Sequence, residues 1–142
     1  MTHDHYPDEL IRSILTSVKT IALVGASPNA ARPSHGVMAY LLRSGYRVIP
    51  VNPGQAGKEI LGQRVYATLG DIPEPVDMVD VFRASDQLKA LVDEVLALPE
   101  RPKVIWGQLS VRDDAAAAVA EAEGLTVIMD RCPAIERPRL IG

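Results

Sequence analysis

The sequence is poor in the residues that build several kinds of site. It has one cysteine, Cys132, which excludes an intrachain disulfide and a cysteine cluster for zinc. Its three histidines, His3, His5 and His35, show no metal-ligand spacing on one element. Aromatic residues make up only 4%, too few for the stacking platforms that hold single-stranded nucleic acid. No long Lys/Arg block exists and the net charge is −3, so nucleic acid is not an expected partner. No apolar run approaches about 18 residues and no signal-peptide pattern opens the chain, so a cytoplasmic protein without a membrane partner is expected. Two phosphate-binding signatures are also missing. No Gly-Lys-Ser/Thr ends a loop, and Ser27 stands where Gly-x-Gly-x-x-Gly needs its second glycine.

What is present suits a single globular domain. The 142 residues are 47% hydrophobic and 23% charged, enough for a real core. One stretch, from Thr20 to Gly36, organises the rest. Ile21 to Val24 is an apolar run of strand length that breaks at Gly25. The small and turn-forming residues Ala26, Ser27, Pro28 and Asn29 follow. Ser34 then reads as the N-cap of a helix whose apolar face is Val37, Met38, Tyr40, Leu41 and Leu42. Strand, loop and helix N-terminus together suit an anion, because unpaired N–H groups and the positive dipole end meet there. Arg32 adds a planar cation beside them.

In chain order, Met1 to Pro7 is expected to be disordered, which leaves His3 and His5 in a frayed terminus. Leu10, Ile11, Ile14, Leu15 and Val18 then form a helical stripe. Further strands are expected at Tyr46–Val51, Asp77–Phe82, Lys103–Trp106 and Leu125–Met129. Between them, helices run from Ser85 to before Pro99 and from Asp113 or Asp114 to Gly124. The stretch Gln55–Pro75 is irregular, and Pro133 and Pro138 argue against a long helix in the tail. Alternating strands and helices imply an α/β fold with right-handed crossovers. The expectation is a doubly wound, five-stranded parallel sheet in the order 3-2-1-4-5 with an extra N-terminal helix, forming one domain over residues 1–142.

In such a sheet ligands bind outside the carboxyl ends of the strands. Gly25-Ala26-Ser27, Val51-Asn52-Pro53, Phe82-Arg83, Trp106-Gly107-Gln108 and Asp130-Arg131-Cys132 converge there. Asn52 occupies the place where an NAD site usually has an acidic residue for the ribose. Lys58, Arg64 and Arg83 instead offer cations for an additional phosphate. Ser27 has no obvious base beyond His35, so it is a phosphate contact rather than a nucleophile. Asp80 is the odd residue in an apolar strand, either a polar group near the ligand or a satisfied buried carboxylate. Cys132 is either a small buried hydrophobe or, beside Arg131, a thiol able to form a mixed disulfide with a ligand thiol.

Several segments now coincide with a known pattern. Gly25-Ala26-Ser27, Arg32-Pro33-Ser34, Val51-Asn52-Pro53, Leu69-Gly70-Asp71-Ile72-Pro73, Trp106-Gly107-Gln108, Arg131-Cys132, Glu136 and Arg139-Leu140 follow one another in order. From about Leu10 to Gly142 the chain resembles the small stand-alone CoA-binding proteins. These are similar to the N-terminal CoA-binding domain of the succinyl-CoA synthetase α subunit. The resemblance implies a Rossmann-like fold with coenzyme A along the carboxyl edge. It implies the diphosphate near Gly25, Ala26, Ser27, Arg32, Pro33, Ser34 and His35. The adenosine end is then toward Val51, Asn52, Pro53, Lys58, Phe82 and Arg83, with Trp106, Gln108 and Cys132 completing the edge. Many relatives have a glycine soon after the Gln108 position, where this chain has Leu109-Ser110. The synthetase's phosphohistidine domain and partner subunit are not implied, so ligase activity does not carry over. The expected function is a non-catalytic module for CoA or an acyl-CoA. The alternatives are an NAD(P)-linked oxidoreductase, a CoA-transferring subunit that needs a second chain, and an interaction protein that responds to CoA. Homodimerisation stays open.

Overall fold

The computed structural model describes residues 2–142. Helix α1 (Asp8–Ser17) places Ile11, Ile14 and Leu15 inward, and Asp8 and Glu9 sit in its first turn, where carboxylates complement the dipole. Strand β1 (Thr20–Val24), helix α2 (Pro33–Arg43) and strand β2 (Arg47–Val51) follow. A short hairpin of β3 (Glu59–Ile60) and β4 (Gln63–Arg64) comes next. The chain then alternates through β5 (Met78–Val81), α3 (Leu88–Leu96), β6 (Val104–Gly107), α4 (Asp114–Ala122) and β7 (Thr126–Ile128), and ends in α5 (Pro133–Leu140).

The five long strands form one parallel sheet in the order β2-β1-β5-β6-β7. Alternation along each strand divides the core into two layers. Ile21, Leu23, Met78, Trp106 and Ile128 pack beneath α1, α2 and α5. Ala22, Val24, Val79, Val81 and Ile105 pack beneath α3 and α4. Burial on both faces is why these strands read as continuous apolar runs.

The expected five-stranded, doubly wound parallel architecture is therefore present. The series 3-2-1-4-5 also holds, with one change of occupant. The third place belongs to Tyr66, which makes a single parallel bridge to Val51 outside β2. The 77–82 strand expected in that place lies instead beside β1, third of the five strands; with the Tyr66 bridge counted, the series runs 3-2-1-4-5 as far as β6, and β7 continues it. Two features of the chain explain the exchange. Pro50 offers its carbonyl to Tyr66 N–H at 3.1 Å but has no N–H of its own, so the outer edge of β2 supports only a short partner. Strand β5 is buried along its whole length and belongs in the middle of the sheet.

Two further expectations change. Residues 3–7 are not loose: His3 and Tyr6 are each 4% exposed, and only His5 of the two terminal histidines lies in solvent. Met1 lies outside the described residues. The tail after Arg131 is helical, because Pro133 occupies the first helical position, where a missing N–H costs nothing. Pro138 is accommodated in a helix only eight residues long.

Asp80 lies in the sheet centre, in register with Leu23 and Trp106. It has no exposed surface, and neither carboxyl oxygen has a protein partner. Burial pushes its pKa up to about 8, from an ordinary 3.8. As pH rises, the unfolded chain gives up this proton first. The group's stabilising contribution is complete below about pH 4 and is lost progressively toward about pH 8. Denaturant midpoints of wild type and Asp80→Asn should therefore diverge across that window, with the variant gaining on the order of several kcal/mol. The difference is the relevant quantity, because Glu74 and Asp114, held low by Arg47 and Arg112, add an opposite slope in acid. Parallel midpoint curves would mean that Asp80 is ionised at little cost.

Candidate ligand-binding edge

The sheet order reverses between β1 and β5: α2 leads from β1 to β2 on one side, while β5 lies on the other. The crevice above their carboxyl ends is where open α/β sheets bind ligands. Gly25 opens it. Its N–H donates to Val51 O at 2.9 Å, and Phe82 N–H donates to Val24 O at 2.8 Å, so three strand ends are joined within two residues. Gly25 has φ +92°, and a Cβ there would sit 2.2 Å from the carbonyl oxygen of Phe82. Only glycine satisfies both conditions.

The loop from Ala26 to Arg32 is built from short local bonds. Ser27 Oγ accepts from Asn29 N–H at 3.1 Å, and Asn29 Oδ1 accepts from Ala31 N–H at 2.9 Å. Both are the small polar turns that these residue types favour. Helix α2 begins at Pro33, with Arg32 at the N-cap and no side-chain cap bond. The N-cap expected at Ser34 is thus displaced by two residues, because proline takes the first helical position. Ser34 is buried, His35 is half-buried, and Arg32 is exposed. The first turn of α2 therefore opens beside a free guanidinium.

Asn52 links this loop to the next. Its Nδ2 donates to Ala26 O at 2.8 Å, and its Oδ1 accepts from Gly54 N–H at 2.9 Å. Pro53 and Lys58 are exposed, whereas Phe82 and Arg83 are half-buried beside Gly25. Val51 is buried, and its carbonyl is already occupied by the Gly25 N–H. Trp106 is a correction. It has no exposed surface, and its Nε1 donates to Arg131 O at 2.9 Å, so it props the β7–α5 turn from inside the core. Gln108 is 5% exposed with Oε1 unpartnered, and Cys132 is 6% exposed and packed in the first core layer.

The structure thus brings Gly25, Ala26, Asn52 and Phe82 together at the ends of β1, β2 and β5, with Ser27, Arg32, Pro33, Ser34 and His35 on the loop and first turn that follow Ala26, and Arg83 next after Phe82. Gln108 and Cys132 end neighbouring strands of the same edge. Two clefts, of about 260 and 590 Å³, lie at the opposite, amino end of the sheet. One is lined by Ile72, Pro73, Pro75, Leu98, Pro99 and Pro102, the other by Lys19, Thr20, Tyr46, Arg47, Arg137 and Ile141 among others. Neither touches the edge residues, whose position follows from topology and not from a closed cavity.

The CoA binding domain family matches residues 19–138. The chain belongs to that family. It is 39% identical over 122 residues to the uncharacterized protein YneT of Bacillus subtilis, covering 86% of this chain and 87% of that one. Among solved structures, a hypothetical protein from Pyrococcus horikoshii superposes with TM-score 0.91 at 39% identity, covering 100% and 97% of the two chains. The cell-free ID.343 structure from Thermus thermophilus gives 0.90 at 41%, covering 96% and 100%. A dinucleotide-forming acetyl-coenzyme A synthetase from Ca. Korarchaeum cryptofilum, at 22% identity and TM-score 0.69, shares the fold; 87% of this chain matches 28% of that one. A CoA-binding domain is thereby assigned to this chain.

Sequence reasoning missed the cross-links that hold the edge. The carboxamide of Asn52 is one, and the turn network Ser85–Ser110–Asp130 is another. The signal for the first was an Asn before a Pro at a strand end; the second has no local signature. Gly25→Ala should cost about 3 kcal/mol or more, from left-handed strain plus backbone overlap. Asn52→Asp should cost about 1–3 kcal/mol, because the carboxylate cannot donate to Ala26 O. Urea melts read both, and a loss within error at either position would refute that bond's role.

Proposed function

We propose that this protein binds coenzyme A reversibly along the carboxyl edge and carries out no covalent chemistry of its own. The observation that carries the reading is the start of α2. An uncapped helix N-terminus, a glycine that brings backbone close to backbone, and the exposed Arg32 meet at the switch point of a CoA-binding domain. The diphosphate takes the N–H groups of Ser27 and of the start of α2, with Arg32 as its charged partner. The adenosine end lies toward Asn52, Pro53, Lys58, Phe82 and Arg83. The pantetheine arm runs over β6 toward Gln108 and Cys132.

Two observations favour CoA over NAD and a binding role over catalysis. Both polar atoms of the Asn52 carboxamide are engaged by Ala26 and Gly54, which leaves no carboxylate there for ribose hydroxyls. Ser27 Oγ accepts from the Asn29 N–H inside its own loop, so it serves as a turn-forming group and not as an activated nucleophile.

Calorimetric titration should give tighter binding of CoA than of NAD or ADP at equal salt; equal or tighter NAD binding would overturn the assignment. Arg32→Ala should weaken CoA roughly 10- to 150-fold, the worth of a charge-assisted contact of about 1.5–3 kcal/mol. The apo melting temperature should barely move, since Arg32 is exposed and makes no side-chain cap bond. Wild-type affinity in the variant, or loss of its melting transition, would remove Arg32 from the site.

A further inference from the structure

Residues 3–6 run back over the sheet to the end of β7, where they close a ring of contacts through the carboxyl-edge turns. The Tyr6 hydroxyl accepts from Met129 N–H at 2.9 Å and lies 2.6 Å from His3 Nδ1. With its proton donated to Nδ1, His3 carries hydrogen on Nε2, which donates to Glu121 Oε1 of α4 at 2.9 Å. The chain Glu121–His3–Tyr6–Met129, buried at His3, Tyr6 and Met129 and half-buried at Glu121, is then continuous from α4 to the end of β7. The guanidinium of Arg131 stands over the Tyr6 ring, 5.0 Å from its centre, within the range of a cation–π contact.

The ring continues from there. Asp130, with φ +56°, accepts from Ser110 N–H at 2.7 Å through Oδ1, and Ser110 has φ +72°. Ser85 Oγ donates to Ser110 O at 2.9 Å and accepts from Arg112 N–H at 2.9 Å. Arg112 in turn pairs with Asp4 at 2.9 Å, which returns the chain of contacts to the N-terminal segment. The turns after β5, β6 and β7 are all included. Two non-glycine residues in left-handed backbone persist only where their surroundings over-determine them, and this ring supplies those surroundings.

We propose that residues 3–6 are a clasp that fixes the carboxyl-edge turns, and that Tyr6 is a positioning residue that holds Arg131 toward an anionic group of the ligand. The ligand part of this rests on the reading of that edge as the CoA site; the clasp itself does not. Tyr6→Phe removes the hydroxyl bonds and keeps the ring, whereas Tyr6→Leu removes both. If Tyr6 positions Arg131 through its ring, Tyr6→Phe lowers the melting temperature yet keeps CoA affinity within about twofold. Tyr6→Leu weakens CoA roughly 2- to 30-fold, the span of a cation–π contact. Arg131→Ala, which leaves the hydroxyl network intact, weakens CoA to the same degree, and the double variant Tyr6→Leu/Arg131→Ala adds nothing.

Hydrogen exchange of the ligand-free proteins gives a readout independent of CoA. The Ser110 amide should lose protection in both Tyr6→Phe, which breaks the hydroxyl bonds of the clasp, and Tyr6→Leu. Wild-type CoA affinity in Tyr6→Leu or in Arg131→Ala, affinity losses that track melting temperature equally in Phe and Leu, or unchanged Ser110 exchange in Tyr6→Leu would each overturn the proposal. If wild type itself does not bind CoA, the functional reading fails and the positioning of Arg131 with it; the exchange comparison then decides the clasp alone.

Discussion

The structure depends on the close passage of backbone over backbone at Gly25. The absence of a side chain lets the end of β1 lie against the carbonyl of Phe82, where a Cβ would be only 2.2 Å from oxygen. That approach brings the turn after β5 directly beside the loop that leads into α2. The Gly25 N–H then reaches sideways to Val51, which adds the end of β2. A larger residue would push these three ends apart, and the crevice above them would lose its floor.

Much of the fold was legible because burial on both faces leaves an unambiguous trace. Continuous apolar runs such as Ile21–Val24 and alternating helical stripes such as Leu88, Leu91, Val92 and Val95 admit few arrangements. The place of each strand in the sheet was harder. It turned on Pro50, whose missing outward N–H is a property of pairing that no hydropathy pattern reports. The N-terminal segment was illegible for a different reason. His3 and Tyr6 have no periodicity, and their partners Glu121 and Met129 lie 118 and 123 residues away. Short polar segments of this kind become ordered through long-range bonds, which local propensity does not register.

The candidate site divides along the same line. Its backbone parts were legible, since a glycine after a buried strand and a proline before a helix have few alternative meanings. Side-chain roles were not. Trp106, at a strand end beside the edge, satisfies every sequence criterion for a contact, yet the sheet's alternation turns it inward with Leu23 and Asp80. Asp80 shows the cost of that inward layer. A carboxyl group with no exposed surface and no protein partner is held largely neutral below about pH 8, and its burial is maintained by the apolar packing of Trp106 and Leu23 on either side.

Asn52 joins architecture to ligand choice. A side chain there must donate to Ala26 O and accept from Gly54 N–H at once. A carboxylate has no donor, an alcohol is too short to span both, and a glutamine's extra methylene would displace the amide from both bonds. Asparagine alone fits the two loops together. The same position is the one from which an acidic residue grips ribose hydroxyls in dinucleotide sites. By fixing the loop geometry with a neutral amide, the chain gives up that grip, and in the proposed site recognition falls to groups that answer backbone N–H and cations. Phosphates are such groups. On the proposed reading, a ligand that carries a diphosphate and a further phosphate, with a long uncharged arm to lie over the remaining strands, is the kind of molecule this edge accommodates.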